Sequence, residues 1–398
     1  MTKKSHNITS QMAGNGAAYP SLKKDAPEGV LFLYLTSKSA LVFRFLLFIF
    51  LLSASGCLHA RPGILPFADS LRQRHHMPAL AYAVISADSV LEENICGVTQ
   101  AGTGRKAQLT DLFRLGSNTK AITAYLAATL VHEKQLSWDT RFFGLFPELK
   151  NGSNKAYRDV SLIGLLSFRA KLPAYTYTWD EPHKGQFSGD EAHQRYELAQ
   201  WFFAQQPVIH KNGIACSNLG YVAAALMMEK ATGQSYQQLV SHLLKTCNAR
   251  CAFGPPNSRD TTQPWRHNSQ LLPEPPGDNY KLNWLEAAGN ISMSLPDYIQ
   301  FIQLDLAGLS GKNSSLPQAD VELLHYGCPT FALGWFWEDR KGSRVSWNLG
   351  NPGTFLSKVI VYQHSRKAII VFSNVQSEDA EKGIDLLVEK LQQVYGIN

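Results

Sequence analysis

Ser117 and Lys120 stand three residues apart in FRLGSNTKAI (113–122), directly after Gly116 and before an apolar run. A serine hydroxyl attacks poorly until a neighbour takes its proton. An amine three positions on shares the same helix face and can lie beside that hydroxyl. The helix-terminal N–H groups would favour negative charge developing at Ser117. The same field, with burial, would lower the lysine towards a usable base. Alone, the Ser-x-x-Lys spacing is a weak signal. About one or two matches arise by chance in a chain of this length, and Ser21–Lys24 is a second one. A serine that caps a helix, with a solvated lysine, fits the same residues.

The surrounding pattern supplies elements that could hold such a pair. ALAYAVISADSVLEENICGV (79–98) predicts two strands turning at 87–89. Ile122, Tyr125, Leu126, Thr129 and Leu130 recur at helical spacing and predict a helix over Asn118–Glu133. Residues 146–284 are loop-rich around helical stretches at 197–206 and 219–233. KVIVYQ (358–363) and AIIVFSNV (368–375) predict strands, and 378–396 an amphipathic helix. Strands at both ends with helices between them suggest an α/β layer receiving a mostly helical insertion. The expected division is a leader over 1–60, an α/β domain from 61–145 and 285–398, and a helical domain over 146–284.

Composition narrows the function classes. The chain has 398 residues, 44% hydrophobic and 18% charged, sufficient for a sizeable core. Residues 1–60 hold six Lys/Arg against two acids, so they supply four of the six net positive charges and leave +2 for the rest. That surplus gives no reason to expect a nucleic-acid partner. Lys38 and Arg44 precede FLLFIFLLSASG (45–56), which is short for a membrane span and predicts export. ASGC ending at Cys57 suits lipidation at that cysteine and attachment to a membrane through the N-terminus, in a periplasmic location. LHA (58–60) offers ordinary cleavage instead, and an uncleaved anchor from Val30 is disfavoured by the two charges. The stretch before Lys38 is long for a signal's first region and suggests disorder or a misplaced start. Besides Cys57 there are five cysteines, an odd number and no disulfide framework. Spacing alone leaves a Cys247–Cys251 bridge open. No metal and no cofactor are expected.

FRLGSNTKAITA with LVHEKQLSWDT (130–140) closely resembles the serine β-lactamase and penicillin-binding-protein superfamily, which includes class C β-lactamases, D,D-carboxypeptidases and esterases. CSNLGYVAAALMMEKATGQSY (216–236), AAGNISMSLPDYIQF (287–301), FALGWFW (331–337) and WNLGNPGTFLSKVIVY (347–362) continue the likeness in colinear order over about 65–395. The resemblance implies a β-lactamase/transpeptidase-like α/β fold, an antiparallel sheet flanked by helices plus a mostly helical inserted domain. The cleft between them would carry Ser117 as nucleophile and Lys120 as base or proton relay.

Three other motifs depart from the family. Cys216-Ser217-Asn218 stands for Tyr-x-Asn or Ser-x-Asn. By resemblance Asn218 would bond Lys120 and a substrate amide. Cys216 reaches roughly 3–4 Å less far than a tyrosine, but can sit where a serine does; a small buried filler and, less readily, a nucleophile are its other readings. Asn348-Leu349-Gly350 replaces Lys/His-Thr/Ser-Gly, so cation and hydroxyl are both lost. Gly350 would let a substrate lie close to its strand, and the N–H of Asn351 would join that of Ser117 in an oxyanion hole. In LLSFRAKLPAY (165–175), Arg169 or Lys171 could bring an anion-binding charge, or simply be solvated. The resemblance thus implies a serine acyl hydrolase acting through a Ser117 acyl-enzyme on a small-molecule or peptide amide or ester: β-lactam, cell-wall peptide or small ester. The alternative is a catalytically degenerate member that binds cell-wall peptide or a protein partner.

Overall fold

The computed structural model describes residues 63–209, 213–277, 280–312 and 315–397. The leader, with Cys57, lies outside the described residues.

Eleven strands occur among the described residues. In chain order they are β1 (Ala79–Ser86), β2 (Val90–Gly97), β3 (Phe113–Arg114), β4 (Ala252–Phe253), β5 (Arg266–His267), β6 (Pro273–Glu274), β7 (Ile291–Met293), β8 (Phe336–Arg340), β9 (Ser343–Gly350), β10 (Leu356–Tyr362) and β11 (Lys367–Ser373). Six form an antiparallel sheet in the order β2-β1-β11-β10-β9-β8, so the two ends of the chain meet at its centre. The register pairs Ala81 with Phe372 and Val359 with both Ile370 and Asn348.

Both faces of this sheet are covered. Successive side chains of a strand point to opposite faces. Ala79, Ala81, Ala83 and Ile85 of β1 therefore join one core cluster, whereas Leu80, Tyr82 and Val84 join the other. The helices Ile64–Arg74 and Glu378–Tyr395 close the second face, through Ile64, Leu71, Ile384 and Leu391. The first face packs on the helices Thr119–His132 and Leu295–Leu309. Residues 146–284 contribute the helices Glu191–Phe203, Asn218–Thr232 and Tyr236–Lys245. They also contribute β4, which joins β3 and β7 in a three-stranded sheet beside the start of the helix Thr119–His132. Among the described residues no helix is long and apolar enough to cross a membrane. Cys96, Cys216, Cys247, Cys251 and Cys328 are free thiols, so the Cys247–Cys251 bridge left open by spacing is not formed.

A Ser-His-Asp arrangement sits in this core. His325 lies 2.7 Å from Ser346 Oγ and 3.0 Å from Asp305 Oδ2 through its two ring nitrogens. All three are buried, with Trp335 stacked on the imidazole. Buried in this way, the trio ties β9 to the helices Leu295–Leu309 and Gln318–Tyr326.

Candidate active site

β3 ends at Arg114, and the chain passes through a 3-10 turn, Gly116–Asn118, into the helix Thr119–His132. Leu115 N–H donates to Ile291 O at 2.8 Å, which fixes this turn to β7. Gly116 has φ +51, and a Cβ there would lie 2.7 Å from the nitrogen of Asn351. Only glycine allows the nucleophile turn and the end of β9 to approach so closely. Ser357 of β10 completes the anchorage. Its hydroxyl donates to Leu115 O at 2.6 Å and accepts from Asn118 Nδ2 at 2.7 Å.

Ser117 is half-buried on this turn, and Lys120 follows one helical turn later. Lys120 Nζ lies 3.0 Å from Ser117 Oγ and donates to Ala288 O at 2.8 Å. The ammonium also sits 5.5 Å from the centroid of the Tyr221 ring. Burial pushes the amine from its ordinary 10.5 down to about 7, opposed only by the nearby Cys216 thiol. About half of the amine is therefore free to accept a proton at neutral pH. The arrangement can pass the hydroxyl proton to nitrogen and leave oxygen poised for attack.

The second motif forms the opposite wall. Ser217 caps the helix Asn218–Thr232, and its hydroxyl donates to Pro173 O at 2.7 Å. Asn218 Nδ2 donates to Tyr175 O at 2.6 Å. The two partners of Lys120 are instead Ser117 and Ala288, so the expected Asn218–Lys120 bond is replaced by a tie that holds the 173–175 segment. Cys216 is exposed and lines the cleft with Ser117 and Lys120, which corrects its reading as a buried filler. Partial covering raises its thiol above the ordinary value, although Lys120 opposes the shift. A thiol held protonated is a poor nucleophile.

The third motif departs further from expectation. Asn348 is buried, and its amide donates to Ser117 O at 3.1 Å and to Gly334 O at 2.6 Å. Its side chain thus braces the main chain of the turn carrying Ser117 while still lining the cleft. Gly350 makes room for the protein itself rather than for substrate. A Cβ there would meet Leu115 O at 1.9 Å and Ser357 Oγ at 2.4 Å. Leu349 alone of this motif projects outward, 40% exposed. Asn351 follows at the rim beside Gly116.

Arg169 carries no free charge to the cleft. Its guanidinium donates to Ser167 O at 2.8 Å, Phe331 O at 3.0 Å and Pro329 O at 2.9 Å. Lys171 is exposed and takes φ +57, away from the residues lining the cleft. Sequence reasoning missed Tyr221, Ala288, Gly334 and Ser357. They act through ring faces, carbonyls or single hydroxyls brought from distant segments, and such roles leave no local pattern.

The cleft has a lobe on each side of Ser117. One of about 230 Å³ is lined by Lys120, Phe168, Cys216, Phe331, Phe336 and Leu349. The other, of about 140 Å³, is lined by Gly116, Tyr177, Leu282, Leu285, Ala288 and Pro352. Ser117, Thr176 and Asn218 border both. Among the described residues no cluster of His, Cys, Asp and Glu could hold a metal ion.

Known proteins share this architecture. Over 178 residues the chain is 31% identical to "Penicillin-binding protein 4" of Amycolatopsis lactamdurans, a match covering 45% of each chain. It is 25% identical over 350 residues to "Penicillin-binding protein 4*" of Bacillus subtilis (strain 168), covering 79% of this chain and 71% of the other. The chain thus spans less than half of the Amycolatopsis relative. The D-amino acid amidase of Ochrobactrum anthropi SV3, solved with L-phenylalanine amide, superposes with a TM-score of 0.67 at 15% identity. That match covers 84% of this chain and all of the amidase, and shows a shared fold. The family model described as Beta-lactamase matches residues 67–392, most of the chain. With its antiparallel sheet and flanking helices, this protein belongs to the Beta-lactamase family, the superfamily of serine β-lactamases and penicillin-binding proteins.

Proposed function

We propose that the protein is a serine acyl hydrolase that takes small esters or amides through an acyl-enzyme on Ser117. The observation that carries this reading is the 3.0 Å contact between Ser117 Oγ and a buried Lys120 amine lowered to about 7. In the acylation step Lys120 accepts the hydroxyl proton while Oγ attacks the carbonyl carbon. The N–H groups of Ser117 and Asn351 receive the developing oxyanion. The proton then passes from Lys120 to the leaving group, and water later reverses the sequence. Family membership and the amidase fold support this general chemistry.

The altered motifs favour esters over β-lactams or D-alanyl peptides. Those substrates carry a carboxylate, and Asn348 and Leu349 provide neither a cation nor a hydroxyl for it. A charged hydrogen bond contributes about 1.5–3 kcal/mol, against about 1 for a neutral one. Cys216 in the tyrosine or serine position favours the second reading, a degenerate member that binds cell-wall peptide or a partner. Turnover of an activated aryl acetate decides between them. Hydrolysis by the purified protein, reduced to the uncatalysed rate in Ser117→Ala, is the expected result. No hydrolysis by the wild type would leave only the binding reading, and unchanged hydrolysis in Ser117→Ala would assign the reaction to a residue other than Ser117.

Export through the leader, with lipid attachment at Cys57, is part of the same proposal. Cys57→Ala is then expected to move the protein from the membrane fraction to the soluble one, and an unchanged distribution would refute the attachment.

A further inference from the structure

Ser117 has space on both sides, and the two sides differ in chemistry. Lys120 borders only the lobe of about 230 Å³. The group that leaves must take up the proton which Lys120 received from Ser117, so it has to lie on the lysine's side. The acyl part then falls to the lobe of about 140 Å³, between Leu285, Ala288 and Pro352. This orientation follows from proton transfer alone, given the hydrolase reading above.

The lobe on the lysine's side is walled by aromatic rings. Phe168 and Phe331 stack with centroids 4.0 Å apart, and Phe336 meets Phe331 edge-on at 4.7 Å. Leu349 adds an exposed branched chain to the rim. The wall is held in place by the chain around it. Phe168 has φ +62, and the next residue, Arg169, bonds the carbonyls of Pro329 and Phe331. That clamp fixes one ring-bearing segment to the other. It also engages that guanidinium with main-chain oxygens instead of leaving it to meet an anion. Among the described residues the only cationic side chain lining the lobe is Lys120, whose amine points at Ser117 Oγ and Ala288 O.

We propose that this lobe is a subsite for an uncharged aromatic or branched apolar leaving group, with Phe336 and Leu349 setting the preference, while the smaller lobe takes the acyl part. An apolar cavity of about 150 Å³ suffices for benzene, so an aryl group with one substituent fits the space. Face-to-edge contacts with Phe331 and Phe336 favour a ring. A carboxylate pressed against the Phe331, Phe336 and Leu349 side of the lobe would lose its water to side chains that offer no hydrogen bond in exchange. In the reaction, the bond from Ser117 Oγ to the acyl carbon forms and the bond from that carbon to the aryl oxygen breaks. The serine proton leaves with the departing phenol by way of Lys120, so no other reactant is needed.

The test uses two acetates that differ in one substituent, m-tolyl acetate and m-carboxyphenyl acetate, with acylation of Ser117 followed by intact-protein mass in single turnovers. The wild type is expected to react at least about tenfold faster with the tolyl ester. Leu349→Lys should narrow that ratio several-fold by supplying the missing cation, and Phe336→Ala should slow the tolyl ester selectively. Equal rates, or a faster carboxyphenyl ester, with the Ser117 adduct still forming, would overturn the subsite and leave the hydrolase intact. If neither ester forms an adduct, the hydrolase reading fails and binding decides the subsite. Saturation-transfer NMR should then show m-cresol bound in preference to m-hydroxybenzoate, with the m-cresol signal weakened in Phe336→Ala. No preference in that measurement would overturn the subsite as well.

Discussion

Lys120→Met is expected to slow acylation of Ser117 by about 10²–10⁴-fold, the usual contribution of a positioned general base, and at the same time to raise the melting temperature. The two effects share one cause. Burial lowers the amine from 10.5 to about 7, so the folded protein holds this group less favourably than the unfolded chain does. The sign follows from proton counting. Below about pH 7 both states are protonated, and the folded one bears the full desolvation penalty. Between about 7 and the ordinary 10.5 the unfolded chain binds more protons, so wild-type stability rises with pH across that window. The stabilisation by methionine should therefore be largest below pH 7 and shrink as pH rises. Ala288 O loses its donor in the variant, which offsets part of the gain. In the wild type, acylation should climb as Lys120 deprotonates through about pH 7 and then level off. Rates measured from pH 5 to 9, beside melting curves for both proteins, check the whole set. A variant that is both active and unshifted in stability would mean that the amine is neither the base nor buried.

Gly116→Ala should be nearly as damaging to activity for a different reason. The new methyl would lie 2.7 Å from the nitrogen of Asn351, 2.8 Å from Pro352 and 2.9 Å from the carbonyl carbon of Gly350, at a residue whose φ is already +51. Relief requires the Ser117 turn and the end of β9 to separate, and that junction carries the N–H groups of Ser117 and Asn351, the proposed oxyanion donors. Displacing one such donor costs about 10²–10³ in rate, and overpacking of this kind destabilises by about 1–3 kcal/mol. Acylation rates with an aryl acetate, and thermal unfolding, should both show the loss. Near-normal acylation would place the oxyanion donors elsewhere.

The pairing of Ser117 with Lys120 was legible because their relation is local. Spacing of three on a helix that begins just after a glycine puts them side by side, and the structure has them 3.0 Å apart. The helix expected over 118–133 runs Thr119–His132, with a 3-10 turn at Gly116–Asn118 before it. The strand pair at 79–98 was legible from its apolar run and its turn. The deep burial of β1 on both faces, against a partly exposed β2, was not, since what covers β1 comes from helices distant in sequence. Partners failed where they are main-chain groups from remote segments. Nothing in the residues of the altered third motif says that Asn348 reaches the carbonyls of Ser117 and Gly334. Nor does the sequence around Arg169 reveal the carbonyls of Pro329 and Phe331 that occupy its guanidinium. The aromatic lobe was hidden for the same reason, because Phe168 and Phe331 meet only when those segments fold together.

A covalent adduct mapped by mass spectrometry tests the central claim most directly. After incubation with an activated fluorophosphonate near pH 8, one modification is predicted, on the peptide carrying residues 117–120, fixed to Ser117 by fragmentation and absent from Ser117→Ala. An unmodified peptide, or a label that settles on Cys216 instead, would contradict the assignment of Ser117 and Lys120 as the reacting pair.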